Sequence, residues 1–253
     1  MSLERPPGDN GLFGPGSASW AVHGDFTSMM IGGVAALLLQ MLHPAAMAGV
    51  WDHSGFRRDM TGRLKRTAQF VGGTTFGSTA VAEALVDRVR RVHDRVRGTL
   101  PDGTPYEASD PTLLTWVHAA EVSMFLAAHL RYRDPGLSPA RQDQYLAEQA
   151  RLARMLGAED VPEDRAALTA YLRAMRPQLR ADERTREVSR LMIAQPSPSL
   201  ATAPFNAVMM AAGVDLLPPW ARRMHALSLP FPGAPAVRAG AMGVGRVLRW
   251  ALG

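Results

Sequence analysis

The sequence predicts an all-α protein folded as a single-domain helical bundle, and three observations predict it. Apolar residues recur at helical spacing, as in Leu85, Val89, Val92 and Val96. Proline follows a capping residue at Ser109-Asp110-Pro111 and at Ser138-Pro139, the signature of a helix start. Strand signals are scarce: no run of β-branched residues alternates, and no Asn-Gly or Asp-Gly pair joins two apolar runs. Asp102-Gly103, between Leu100 and Tyr106, suits only a small turn.

Taken in order, the first helix spans 29–42, within the apolar stretch MMIGGVAALLLQMLHPAAMAGV of residues 29–50. That stretch approaches the length of a bilayer span. Gln40, His43 and Pro44 interrupt it, and the residue before a proline avoids the α region, so it reads as a core helix ending at Leu42. A short helix at 57–71 carries RLKRTAQFV, and the glycine run FVGGTTFG (70–77) reads as a connection. The next helix, 78–97, has the inner stripe Val81, Leu85, Val89, Val92 and Val96. Helices follow from Pro111 to about Tyr132, from Pro139 to near Gly157 and from about 163 to 176; 177–192 reads as an exposed charged helix. An apolar helix lies around 203–213, an arginine-bearing one follows Pro219, and the tail AMGVGRVLRWALG suits an amphipathic helix. The breaks QPSPS (195–199) and LPFPGAP (229–235) are too short for domain linkers. One domain over 1–253 is therefore expected, with 1–25 as an N-terminal arm and 200–253 as helices packing back on the core.

Composition closes several routes. The net charge of +5 is almost all arginine, Lys65 being the sole lysine. Aromatics are only 7% and do not interleave with basic patches, so nucleic acid is not an expected partner. With no cysteine, thiolate zinc sites, iron–sulfur clusters, disulfides and thiolate-ligated haem are excluded. The N-terminus lacks a basic start followed by an apolar run, so a cytoplasmic location is expected. No phosphate-binding glycine loop, nucleophile elbow or metalloprotease motif occurs.

Four constellations remain. In RVRRVHDRVRG (88–98), His93 sits at the shoulder of the apolar stripe on the side of Arg90 and Arg97. It can be a metal ligand or a boundary residue, and Arg88, Arg91 and Arg95 point elsewhere. In RLKRT (63–67), Arg63 shares a face with Thr67 and lies one turn from Arg66, an arrangement able to hold a carboxylate or phosphate or simply to face water. In WVHAAEVSMFLAAH (116–129), His118, Val122, Phe125 and His129 line one face, with Glu121 three after His118. A di-iron bundle needs Glu-x-x-His on each of two helices; here the order is reversed and there is no second copy, so a hydrogen-bonded core histidine is the competing reading. His43, between an apolar helix and Pro44, either faces a pocket or caps a helix.

These stretches, in this order, resemble the latex-clearing protein (rubber oxygenase) superfamily, which includes the oxygenase of mycophenolic acid biosynthesis, and its short bacterial branch in particular. The resemblance runs through GPGSASWAVHGD (14–25), LLLQMLHPAAMAGVWDHSGFRRD (37–59) and GRLKRTAQFVGGTTFG (62–77). It continues through VRRVHDRVRG (89–98) and GTPYEASDPTLLTWVHA (103–119) and is looser beyond. It implies a globin-like all-α core, haem b and the use of dioxygen. It implies that His93, preceded by Arg90, is the proximal iron ligand, and that Arg63, Arg66 and Thr67 lie near the haem.

Two departures matter. Where rubber oxygenases have a lysine before the threonine, this chain has Arg66; a guanidinium is a poor iron ligand, so hydrogen bonding to bound oxygen or to a propionate is implied instead. Where they have a glutamate on the preceding helix, this chain has AAMAGV, so a rubber substrate is not supported. The nearest acids are Asp52 and Asp59, with His43 close by. The resemblance thus implies a haem-dependent oxygenase or oxidase acting on a small apolar molecule with dioxygen or peroxide. In that reading Arg66 and His43 serve catalysis on the distal side, and His93, Arg63, Thr67, Arg90 and His118 hold the cofactor. A non-catalytic haem binder or oxygen sensor is the alternative, as is a cofactor-free helical protein at a membrane surface. Peripheral membrane contact through the basic tail stays open.

Overall fold

The computed structural model describes residues 6, 8–195, 197, 199, 202–229 and 233–252. The two expected breaks, the start of the 1–25 arm and residues 200–201 lie partly or wholly outside these. Among the described residues there are twelve α-helices and one two-stranded hairpin, so the chain is all-α. They are α1 (Ala18–His23), α2 (Phe26–Gln40), α3 (Pro44–His53), α4 (Met60–Phe76), α5 (Thr79–His93) and α6 (Pro111–Tyr132). Then come α7 (Pro139–Leu156), α8 (Arg165–Met175), α9 (Glu183–Ile193), α10 (Ala203–Leu216), α11 (Pro219–Met224) and α12 (Ala234–Leu252). The hairpin, β1 (Arg97–Thr99) and β2 (Pro105–Glu107), pairs Gly98 with Tyr106 around the turn at Asp102-Gly103.

Local chemistry sets the helix ends. The Asp110 carboxylate accepts hydrogen bonds from the Thr112 and Leu113 amides at 2.7 and 3.1 Å, with Pro111 at the first helical position of α6. Ser138 caps α7, which ends at Gly157 in the left-handed region, φ +105°. Asp25 caps α2 through the Ser28 amide, and its other oxygen accepts from Arg249 of α12 at 2.7 Å.

The core is built on α2, which is predominantly apolar, as a largely buried helix must be. Ile31, Ala35, Leu38 and Leu39 have no exposed surface. Each large apolar side chain buried this way stabilises the fold by ~1.5–3 kcal/mol. On one side α2 crosses α6 so closely that a Cβ on Gly32 would lie 2.8 Å from the Phe125 ring. On the other it meets α10, where a Cβ on Gly213 would overlap Val34. Trp116 of α6 is fully buried with its indole N–H donated to the Gln40 carbonyl at 3.2 Å. Asp215, buried at the end of α10, ties the C-terminal helices to the core: Arg131 of α6 lies at 3.1 Å, Arg238 of α12 at 2.7 Å and Arg222 of α11 at 3.9 Å.

Several elements differ from expectation. Pro44 starts a helix, α3, bent 103° from α2, instead of only stopping one. The short α1 was not expected. Helix α4 continues through Gly72 and Gly73 to Phe76, so the glycine run is not a connection. Helix α5 stops at His93 because the chain turns into β1; Val92 is 53% exposed, and Ala82 and Val86 are the residues buried in its place. The 177–192 segment opens with a 3₁₀ turn at Arg176–Gln178, and α9 begins only at Glu183. Among the described residues α6 is the one helix long and apolar enough to cross a membrane, and 67% of its apolar window is buried in the protein.

Candidate functional site

Helix α4 packs on α5 and α1 but makes no comparable contact with α2 or α6. A slot therefore runs beside its 17 residues, about 25 Å at 1.5 Å per residue. Two cavities occupy it and share Leu37, Gln40 and Leu64 as walls. The first, about 280 Å3, lies beside the N-terminal half of α4; the second, about 480 Å3, lies beside the C-terminal half. Both are near the ~300–1,000 Å3 range of small-molecule sites.

The first cavity brings together Arg63 and His93, thirty residues apart in sequence. Asp59 caps α4 by accepting the Gly62 amide at 2.7 Å and also holds Arg66 at 3.2 Å on the outer side of the helix. Arg63, three residues earlier, faces inward. Its guanidinium has no ion pair or hydrogen bond among the described residues, and burial, with Arg66 close by, works against its charge. His93 ends α5 with its ring partly buried. Its Nδ1 is enclosed without a partner. Burial pushes its pKa down, against a smaller pull from Asp94, so the ring is neutral and keeps a lone pair for a metal. The remaining wall is largely apolar, with Met41, Val50 and Met192. His53 also borders it and donates Nε2–H to the Arg97 carbonyl at 3.1 Å.

The second cavity is more apolar and includes Thr67, whose hydroxyl donates to the Arg63 carbonyl at 3.2 Å. It also exposes two groups that sequence reasoning did not select. Glu121 of α6 has no hydrogen bond or ion pair among the described residues, and burial pushes its carboxyl up to about 7. His23 of α1 sits with Nδ1 2.8 Å from Thr75 Oγ1 and Nε2 3.0 Å from the Tyr145 hydroxyl, and burial, with His129 nearby, pushes it down to about 3. The available signal for Glu121 was its being the only acid on α6.

The other expected site residues are not gathered here. Arg66 is exposed in its pair with Asp59, with 58% of its side-chain surface open. Arg90 is exposed. His118 is enclosed with Nε2 unpartnered, pushed down to about 4 by burial and by Arg154, and lines neither cavity. His43 lines a third, more polar cavity of about 550 Å3 between the hairpin and the start of α9. Its Nδ1 is likewise enclosed without a partner, and burial lowers its pKa despite Asp110.

No three of the His, Cys, Asp and Glu side chains among the described residues converge to hold a metal ion. A metal held by His93 would need its other ligands from a cofactor or from water. No curated protein and no solved structure matches the chain. One family does match, over residues 20–250: the ER-bound oxygenase mpaB/B'/rubber oxygenase catalytic domain. With that match spanning nearly the whole chain, the protein belongs to this family of oxygenases.

Proposed function

We propose that the chain is a haem b-dependent oxygenase that acts on a small apolar organic molecule with dioxygen or peroxide, and that His93 would hold the haem iron. The observation that carries this is the pairing of His93 with Arg63 in one cavity: a neutral imidazole without a partner beside a buried guanidinium without a counter-ion. Buried charges are ordinarily paired, so the cavity calls for an anion and a metal together. A porphyrin brings both, with four nitrogen ligands and carboxylate propionates, and so needs only one ligand from the protein. His93 and Arg63 would supply that ligand and that counter-ion.

In this reading His93 would hold the iron and Arg63 would donate charge-assisted hydrogen bonds to a propionate. Met41, Val50, Leu64 and Met192 keep water from the ring. A haem so held supplies a redox-active iron able to activate oxygen or peroxide, its behaviour set by the surrounding polarity. Thr67 lines the second cavity, its hydroxyl bonded to its own helix. Arg66, Arg90, His118 and His43 have no contact role in this proposal, since none of them lines either cavity beside α4.

Contact with a membrane surface is a separate proposal. On α12, Val247 and Trp250 are 63% and 85% exposed, beside Arg246. Co-sedimentation with anionic vesicles, lost in Trp250→Ser, supports it; equal sedimentation of both proteins contradicts it.

The haem reading is tested by the absorption spectrum and iron content of the protein purified from haem-replete cells. A Soret band with about one iron per chain is expected. A colourless protein that stays colourless after haem is added overturns the reading.

A further inference from the structure

The cavity beside the C-terminal half of α4 has one feature that a haem held by His93 and Arg63 does not explain. Four polar side chains line it: His23, Gln40, Thr67 and Glu121. Three are satisfied within the fold. His23 lies against Thr75 and Tyr145, Gln40 donates to the Val117 carbonyl at 2.9 Å, and Thr67 donates to the Arg63 carbonyl. Glu121 alone has no partner among the described residues. Its surroundings are hydrocarbon, sulfur and aromatic ring: Met29, Met30 and Met210, with Phe26, Phe76 and Phe125. A lone carboxyl in an apolar wall is costly to the fold, and such groups mark binding sites more often than chance.

We propose that this chamber is the substrate site, and that it takes a lipophilic amine whose basic nitrogen pairs with the Glu121 carboxylate while its hydrocarbon body lies on the apolar wall. This names the substrate class of the proposed oxygenase and rests on that reading for its chemistry, though not for binding. A cation is the ligand that best removes the penalty of the buried acid, since it restores the charged form with a partner. Phenylalanine faces add attraction for a cation. A carboxylate would meet a like charge and is rejected. Among the described residues no other charged side chain lines the chamber. The titratable groups facing Glu121 are His23 on α1 and Tyr145 on α7, the first held neutral by burial and the second pushed well above its usual range by burial and by Glu121 and Glu148. Helices α2, α4 and α10 present no charged side chain to the chamber.

The test is calorimetric binding of decylamine, decan-1-ol and decanoate to the purified full chain, with its absorption spectrum recorded throughout. The amine should bind at least about tenfold tighter than the alcohol, as a hydrogen bond to a charged group implies, and decanoate should bind weakest. Glu121→Gln should weaken the amine about tenfold or more and leave the alcohol unchanged. Should that variant fail to fold by circular dichroism, the wild-type protein still decides. Its amine affinity should rise about tenfold or more between pH 5.5 and 8.5 as the carboxyl ionises, while that of the alcohol stays flat. Equal binding of amine and alcohol, no binding of either, a pH-independent amine affinity, or amine binding that survives Glu121→Gln overturns the proposal. A Soret shift of the same size in both proteins places the amine on the iron and also overturns it. A protein without a Soret band fails the haem reading and leaves the binding result to stand by itself.

Discussion

Replacing Arg63 with methionine separates the fold from the function, because the two respond with opposite signs. In the haem-free protein the guanidinium is largely buried with no counter-ion. A polar group buried without a partner costs ~1–3 kcal/mol by mutational data. Arg63 keeps some open surface, so about 1–2 kcal/mol is the reasonable share. Methionine fills a similar volume against Met41, Leu64 and Met192, and its thioether adapts to irregular gaps. The haem-free variant should therefore melt higher by about 2–8 °C, at roughly 2–4 °C per kcal/mol for a domain of this size. On the proposed haem reading the same change would remove a charge-assisted hydrogen bond worth ~1.5–3 kcal/mol, so haem should leave roughly 10- to 150-fold faster. Thermal melting by circular dichroism reads the first effect, and transfer of haem to apomyoglobin reads the second. A variant that melts lower without haem and retains haem as long as wild type refutes the reasoning.

The remaining predictions concern the buried groups. Glu121 titrates at about 7 when folded and near 4.5 when unfolded, so its penalty is absent below pH 4.5, grows as pH rises and is complete above 7. Glu121→Gln should accordingly stabilise by up to about 3 kcal/mol at pH 8 and by little at pH 4, read by denaturant unfolding; equal gains at both would contradict the assignment. His23 is held neutral down to about 3 against 6.5 unfolded, so stability should fall as pH drops from 6.5 toward 3, by up to about 4–5 kcal/mol. His23→Gln should flatten that acid limb, and an unchanged limb would count against it. Removing Asp215 leaves Arg131, Arg222 and Arg238 without their shared partner. Asp215→Ala should cost about 3 kcal/mol, at the low end for a broken buried pair because the arginines retain access to water. The loss should appear as faster hydrogen exchange in α12, and unchanged exchange there would refute the tie.

The all-α class was legible because its signals are local. Ser138-Pro139 and Asp110-Pro111 start α7 and α6 where cap chemistry requires, and Asp102-Gly103 closes the hairpin. What escaped depends on partners distant in sequence. Pro44 suits the end of one helix and the start of the next equally well, and only the 103° bend distinguishes them. Gly72 and Gly73 weaken a helix in isolation, yet α4 persists through them. The inner face of α5 was set one position off because the stripe was extended to Val96, past the true end of the helix at His93. At the site, spacing left His93 as either boundary residue or ligand, and left Arg63 as either an anion holder or a water-facing residue. Their meeting in one cavity is a tertiary fact. Glu121 was visible as a lone acid on α6 but was weighed only against a di-iron pattern, since a cavity in front of it has no sequence signature.

The central claim is that the imidazole of His93 is the axial ligand, and substituting glycine there with imidazole supplied in solution tests it most directly. The wild-type protein should show a Soret band. His93→Gly should lose or shift it, and added imidazole should restore it by entering the vacated position. A variant whose spectrum matches wild type without added imidazole would contradict the account.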